Sequence, residues 1–322
     1  KIMFSKSINK ALICSILATI FTIVSPAFAN EKLKIFILAG QSNMVGHADA
    51  HTIATLFHSG NDRDNSLTKL VFKNGSGLSK KSLEEQLARA KKLDEITGGI
   101  SNDKIKAMAD GPEKKALEDK VKGHKEKHDA YLAKVISSCA VSDRVYINSI
   151  ADGNVKSGKL GVGYGGGKNK LGPEYGFGLS IAEKIEGPVL LIKTSWGGKS
   201  INYDFRPPSV GEYQLDEKQK SGGKAEQIRK NASLNYRMMN DQIRKVLSNL
   251  KANHPDYDSD VGYEISGFVW FQGFNDQFSP EFRDNYEKNM IAFIKDIRKE
   301  YEVHNMPFVI GVLGTGVTAE KV

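Results

Sequence analysis

Hydrophobic residues gather in short, unbroken runs along this chain. Lys34 to Ala39 reads KIFILA and stops at Gly40; Pro188 to Thr194 reads PVLLIKT, Ile265 to Phe271 ISGFVWF, and Pro307 to Leu313 PFVIGVL. Runs of this length without polar alternation read as strands covered on both faces, the habit of parallel sheets. Val145 to Ile150 is a weaker fifth candidate. Between the runs the period changes. Tyr286, Met290, Phe293, Ile294 and Ile297 recur at helical spacing, as do Met239, Ile243, Val246, Leu247 and Leu250. Each set forms one apolar helix face. Strands alternating with amphipathic helices predict an α/β layered sheet with right-handed crossovers.

Two stretches break the alternation. Ser79 to Lys134 is polar, with 14 Lys/Arg and 11 Asp/Glu. Its thin apolar stripes, Leu83, Leu87, Ala90 and Ile96, then Leu117, Val121, Leu132 and Val135, predict a charged helical insertion over about 79–138. Mixed signs in such a segment read as a solvated face rather than a polyanion-binding arm. Gly158 to Gly178 holds nine glycines, and Gly161, Gly163 and Gly166 match G-x-G-x-x-G by letter. The motif needs a strand before it and a helix start after it, whereas polar Lys156-Ser157 precedes and Lys168-Asn169-Lys170 follows, so a dinucleotide site is not the reading. A flexible loop shaped for close backbone approach is.

The first residues look like an address. Lys1, Lys6 and Lys10 precede an apolar run from Ala11 to Val24, and Ala27-Phe28-Ala29 supplies an Ala-x-Ala pattern. That is the layout of a secretory signal peptide cleaved after Ala29, and the run is too short to span a bilayer. The expectation is a signal peptide over 1–29, a secreted or periplasmic product, and no stable membrane anchor after cleavage. Residues 30–322 then form one domain carrying the insertion. Composition fits: 322 residues with 40% hydrophobic and 26% charged side chains exclude fibrous and wholly disordered chains. A formal charge of +8 is no nucleic-acid signature, and removing the three N-terminal lysines lowers it further. Cleavage also removes Cys14, leaving Cys139 without a partner for a disulfide.

The chemistry sits at strand ends. Gly40-Gln41-Ser42-Asn43-Met44 follows the first strand, Ser195-Trp196-Gly197-Gly198 the second apolar run, and Gln272-Gly273-Phe274-Asn275-Asp276 the third. Ligands of open parallel sheets bind beyond the carboxyl ends of the strands. Alone, Ser42 reads equally as a helix cap or a nucleophile. Together with a glycine N–H and the Asn275 amide it makes a nucleophile with a three-donor oxyanion hole.

These blocks resemble the first three sequence blocks of the SGNH hydrolases, nearest to the sialate O-acetylesterase-like and acetylxylan-esterase-like carbohydrate esterases. Asp204-Phe205-Arg206-Pro207-Pro208 and Gly172-Pro173-Glu174-Tyr175-Gly176-Phe177-Gly178 are also similar to family members. The resemblance covers about residues 33–50 and 158–314. It implies a three-layer α/β/α sandwich on a mainly parallel, flavodoxin-like sheet, and metal- and cofactor-free hydrolysis of acetyl esters on sugars. It further implies Ser42 as nucleophile, with the Ser42 amide, the Gly198 (or Gly197) amide and the Asn275 side chain as oxyanion donors. Gln41, Gln272, Trp196 and Arg206 are its candidate substrate-binding residues, with Tyr203 a further sugar-facing position.

A serine nucleophile needs a base. The resemblance implies a histidine in an Asp-x-x-His block near the C-terminus, and no histidine here has Asp three residues before it. His304 precedes the last strand, at the wrong edge of the sheet, and His47 follows Ser42 on the same turn. The expectation is that the base lies beyond Val322 and that the 322-residue chain is severely impaired. Two alternatives stand: a non-catalytic carbohydrate-binding protein of this fold, and an SGNH lipase or thioesterase.

Overall fold

The computed structural model describes residues 31–58 and 62–313; the signal-peptide segment expected over 1–29 lies outside them. Eight strands appear among the described residues: β1 (Leu33–Gly40), β2 (Ala48–Asp49), β3 (Val145–Ala151), β4 (Asn154–Lys159), β5 (Lys170–Leu171), β6 (Val189–Ser195), β7 (Tyr263–Phe271) and β8 (Phe308–Ile310). Six form the central sheet in the order β4-β3-β6-β1-β7-β8, while β2 and β5 pair separately. All central neighbours run parallel except β4, which turns back antiparallel on β3. Within it the four strands β6-β1-β7-β8 take the 2-1-3-4 order of a flavodoxin-like sheet, and β3 with β4 extends it outside β6, so that β4 and β8 are the edges. The order reverses at β1, so the crevice between β1 and β7 is the switch point where such sheets bind ligands.

Strand alternation sorts the side chains into two layers. Leu33, Ile35, Ile37 and Ala39 of β1 join Leu190 and Ile192 of β6 and Phe268 and Trp270 of β7 on one face. Helices Leu234–Leu247 and Tyr286–Glu300 cover that face with Met239, Ile243 and Val246, and with Met290, Phe293 and Ile297. Leu38, Val145, Ile147, Val189 and Leu191 point the other way, against Tyr175 and Leu179 of helix Pro173–Lys184. The three layers follow directly from these opposed sets.

The charged segment is helical: Lys80–Lys91, Leu93–Thr97, Asn102–Ala107 and Pro112–Ser138. Ser79 and Ser82 close a capping box at the first, and Pro112 opens the last, where its missing N–H costs nothing. Leu83, Leu117 and Val135 are buried, whereas Leu87 is exposed, so the segment lies on the domain by a narrow stripe. The glycine-rich stretch departs from the flexible loop expected. It begins in β4 and ends inside helix Pro173–Lys184. Its middle is pinned: Gly163 and Gly165 N–H donate to Lys170 O, and Gly166 N–H donates to Gly46 O.

Candidate active site

The register explains why the three strand-end blocks meet. Gly40 of β1 pairs with Ser195 of β6 and with Phe271 of β7, and Ser195 pairs with Ala151 of β3. Four strands therefore end on one row. At about 4.8 Å between neighbouring strands, the loops that follow rise side by side. Gly40 is obligatory here, since a Cβ would lie 2.2 Å from Phe271 O. The chain then turns through Gln41 into the short helix Ser42–Val45, closed by Val45 N–H on Gln41 O at 2.8 Å. Ser42 is half-buried, and its N–H has no partner among the described residues.

Two glycines were candidates for the second donor, and their hydrogen bonds separate them. Gly197 N–H donates to Asp152 Oδ1 at 2.7 Å. Gly198 N–H makes no such bond. It sits at φ +69°, a left-handed conformation that favours glycine, and a Cβ there would lie 3.9 Å from Asn275 Nδ2. Asn275 Nδ2 is likewise without a partner among the described residues. Ser42 N–H, Gly198 N–H and Asn275 Nδ2 thus stand at one sheet edge with their hydrogens unspent.

A buried amide network holds them. Gln41 Oε1 accepts from Asn275 N–H and from Gln272 Nε2, both at 3.3 Å. Gln272 Nε2 also donates to Lys199 O at 2.9 Å and to Asp276. Asp276 in turn accepts from Ile201 and Asn202 N–H, and burial pushes its carboxyl above the ordinary value. Gln41 and Gln272 are 0% and 2% exposed, so they brace the β1 and β7 loops instead of reaching a sugar. Trp196 is a core residue packed at 6.1 Å from the Phe205 ring. Arg206 turns onto its own loop, donating to the carbonyls of Asn202, Val210, Gly211 and Glu212. Tyr203 donates to Ile228 O. The contacts described for Gln41, Gln272, Trp196 and Arg206 are with the protein's own loops and core.

The family model described as carbohydrate esterase, sialic acid-specific acetylesterase, matches residues 153–322. The chain belongs to that family. It is therefore a carbohydrate esterase of the acetylesterase class. The match includes Gly198 and Asn275; Ser42 lies before it and joins them through the β1 register. Among solved structures, a protein from Arabidopsis thaliana aligns at 14% identity over 89% of this chain and 76% of its own, with a TM-score of 0.41. A carbohydrate acetylesterase from Xanthomonas citri aligns at 12% identity over 86% of this chain, with a TM-score of 0.37. The esterase chain spans only 41% of that protein's length. No curated protein matches it.

All seven histidines of the esterase fall among its described residues, and none hydrogen-bonds to Ser42. His47 is exposed and turned to the glycine-rich stretch, its Cε1 3.0 Å from where a Gly166 Cβ would stand. His124 and His128 ride on the insertion helix Pro112–Ser138. His254 is a core residue: its Nδ1 accepts from Asp256 N–H, and its Nε2 pairs with Arg144 O. His304 precedes β8, at the edge opposite Ser42.

Two residues that sequence reasoning missed support the esterase site from below and from the side. Lys193 of β6 is fully buried and donates to Glu174 at 2.6 Å, to Val45 O at 2.9 Å and to Tyr164 O at 3.0 Å. All three ammonium hydrogens are used. They tie the end of the Ser42 helix to the glycine-rich stretch and to helix Pro173–Lys184. Desolvation draws the Lys193 ammonium down from its ordinary value against the opposing pull of Glu174. Its signal in the sequence was a lone lysine inside PVLLIKT. The other residue, Asp152, left no signal, because its partner Gly197 lies 45 residues away.

Beside the network a cleft of about 290 Å³ opens between β7 and β8, lined by Gln272, Asp276, Arg283, Tyr286, Ile310 and Leu313. On the loop that carries Asn275, Phe274 and Phe278 are 48% and 68% exposed, their rings edge to face at 5.1 Å.

Proposed function

We propose that this carbohydrate esterase removes O-acetyl groups from sugars through an acetyl-enzyme on Ser42. What carries the reading is the set of three unspent donors, Ser42 N–H, Gly198 N–H and Asn275 Nδ2, on loops that leave one sheet edge beside the half-buried Ser42. Ser42 Oγ attacks the acetyl carbonyl and passes its proton to a base, while the carbonyl oxygen takes the charge and is met by the three donors. Collapse expels the sugar oxygen, which takes up that proton, and leaves acetyl-Ser42. Water then repeats the sequence and releases acetate. Donors fixed before the charge develops cost no reorganisation during reaction, which is why such holes are effective.

With no histidine bonded to Ser42 among the described residues, no imidazole there stands ready to take its proton, and hydrolysis is slow without an added base. The sugar-facing surface is the loop of Asn275, where the exposed Phe274 and Phe278 rings offer apolar faces to the C–H groups of a pyranose. The enzyme acts after export, in the secreted or periplasmic space. Acetate release from acetylated sialic acid, acetylated xylan and an aryl acetate, each with Ser42→Ala as control, tests the reading and separates the sugars.

The unbonded state of Ser42 Oγ favours one second reading: a carbohydrate-binding protein that keeps the hole and does not turn over. Binding of acetylated sugar unchanged in Ser42→Ala, with no acetate released by the parent, would support it.

A further inference from the structure

Asp152 occupies the two-residue turn with Gly153 between β3 and β4, where Ala151 pairs with Asn154. Its φ is +53°. Asp and Asn are the non-glycine residues best tolerated there, so a turn alone would account for its type. Its contacts do not belong to the turn. Asp152 N–H donates to Ser195 O at 3.0 Å, and its carboxylate accepts from Gly197 N–H at 2.7 Å. The first bond continues the β3–β6 ladder. The second replaces it: the left-handed backbone carries β3 away from the sheet, and the side chain takes over as acceptor for the next N–H of the β6 loop.

The consequence falls on Gly198. Gly197 and Gly198 have small side-chain-free backbones with many accessible orientations, and nothing else bonds the Gly197 N–H. Fixing it on Asp152 fixes the peptide planes that follow, and with them the direction of the free Gly198 N–H beside Asn275. Resting on the acetyl-enzyme reading above, we infer that Asp152 is the positioning residue of the oxyanion hole, and that the β3–β4 hairpin added outside β6 is its mount. It touches neither substrate nor nucleophile. Its work is done through Gly197 as a hydrogen-bond acceptor, and its charge is not required.

Three variants of the full chain test this, assayed with an aryl acetate in imidazole buffer, which supplies a diffusible base. Asp152→Gly relieves the positive φ and removes the acceptor. Its thermal midpoint should hold or rise while kcat falls about 10-fold or more, part of the 10²–10³ that a whole oxyanion donor is worth, with KM little changed. Asp152→Asn keeps an acceptor oxygen and the tolerated φ, and should stay within about 3-fold of the parent. Ser42→Ala reports on the underlying reading. If Ser42→Ala leaves the rate unchanged, the acetyl-enzyme itself is wrong. If Ser42→Ala abolishes it while Asp152→Gly matches the parent, only the role of Asp152 is overturned. Asp152→Asn falling as far as Asp152→Gly overturns it as well, by making the charge the active element.

Discussion

Lys193 and Glu174 meet at 2.6 Å with neither side chain exposed to solvent. The pair joins β6 to the helix on its face, and the remaining Lys193 hydrogens hold Val45 O and Tyr164 O. Removing the lysine strands a carboxylate that still has Gly172 N–H on one oxygen but no countercharge. Lys193→Met should cost about 3–5 kcal/mol of stability, the usual result of breaking one side of a buried pair. Lys193→Met/Glu174→Gln should recover part of it. Urea unfolding of both variants measures the difference, and equal losses would mean that Glu174 is not the penalised group.

Stability should also carry a histidine signature. Burial holds the His254 imidazole below its ordinary value of 6.5, so the unfolded chain takes up a proton before the folded one does. The contribution of His254 is then complete above about pH 6.5 and is lost as pH falls through the depressed folded value. Thermal unfolding from pH 8 to pH 5 should show the parent losing ground relative to His254→Gln over the acidic part of that range. Parallel curves would contradict the assignment of a neutral core imidazole.

The Asn275 amide is the side-chain donor of the proposed hole, and its backbone is held independently by Gln41. Asn275→Ala should therefore lower kcat by about 10²–10³ and leave KM nearly as it was. A rise in KM with kcat intact would make Asn275 a ground-state contact.

Phe274 and Phe278 are exposed, so truncating them should leave the thermal midpoint alone. Phe278→Ala should raise KM for an acetylated oligosaccharide by about 2- to 10-fold, the range of an aromatic contact of about 0.5–1.5 kcal/mol. An aryl acetate, which has no sugar to stack, should be hydrolysed as before. If stability drops and both substrates suffer, the rings pack against protein and not against sugar.

How far the sequence carried depends on burial. β1, β6 and β7 are covered on both sides, and their apolar runs marked them within two residues of their ends. PFVIGVL promised a longer strand than Phe308–Ile310, because β8 lies at the sheet edge with Val309 57% exposed. β4 was invisible: NVKSGK is the polar sequence of an outer strand, set by pairing with β3 alone. That Ser42, Gly198 and Asn275 come to one sheet edge was legible, since each lies within a few residues of the end of a readable strand. For Gln41, Gln272, Trp196 and Arg206 the intramolecular partners were not legible, because proximity to a strand end does not say which way a side chain turns. Asp152 depends on a tertiary bond that no local pattern encodes.

In the proposed site Ser42 stands with three donors, and no histidine among the described residues is bonded to it. Chemical rescue reads it most directly. Aryl acetate hydrolysis by the parent chain should be slow and should rise with added imidazole to a saturating value, with acetyl-Ser42 trapped by mass spectrometry; Ser42→Ala should show only the background reaction of imidazole itself. Equal imidazole dependence in the parent and in Ser42→Ala, with no acetylated serine, would contradict it.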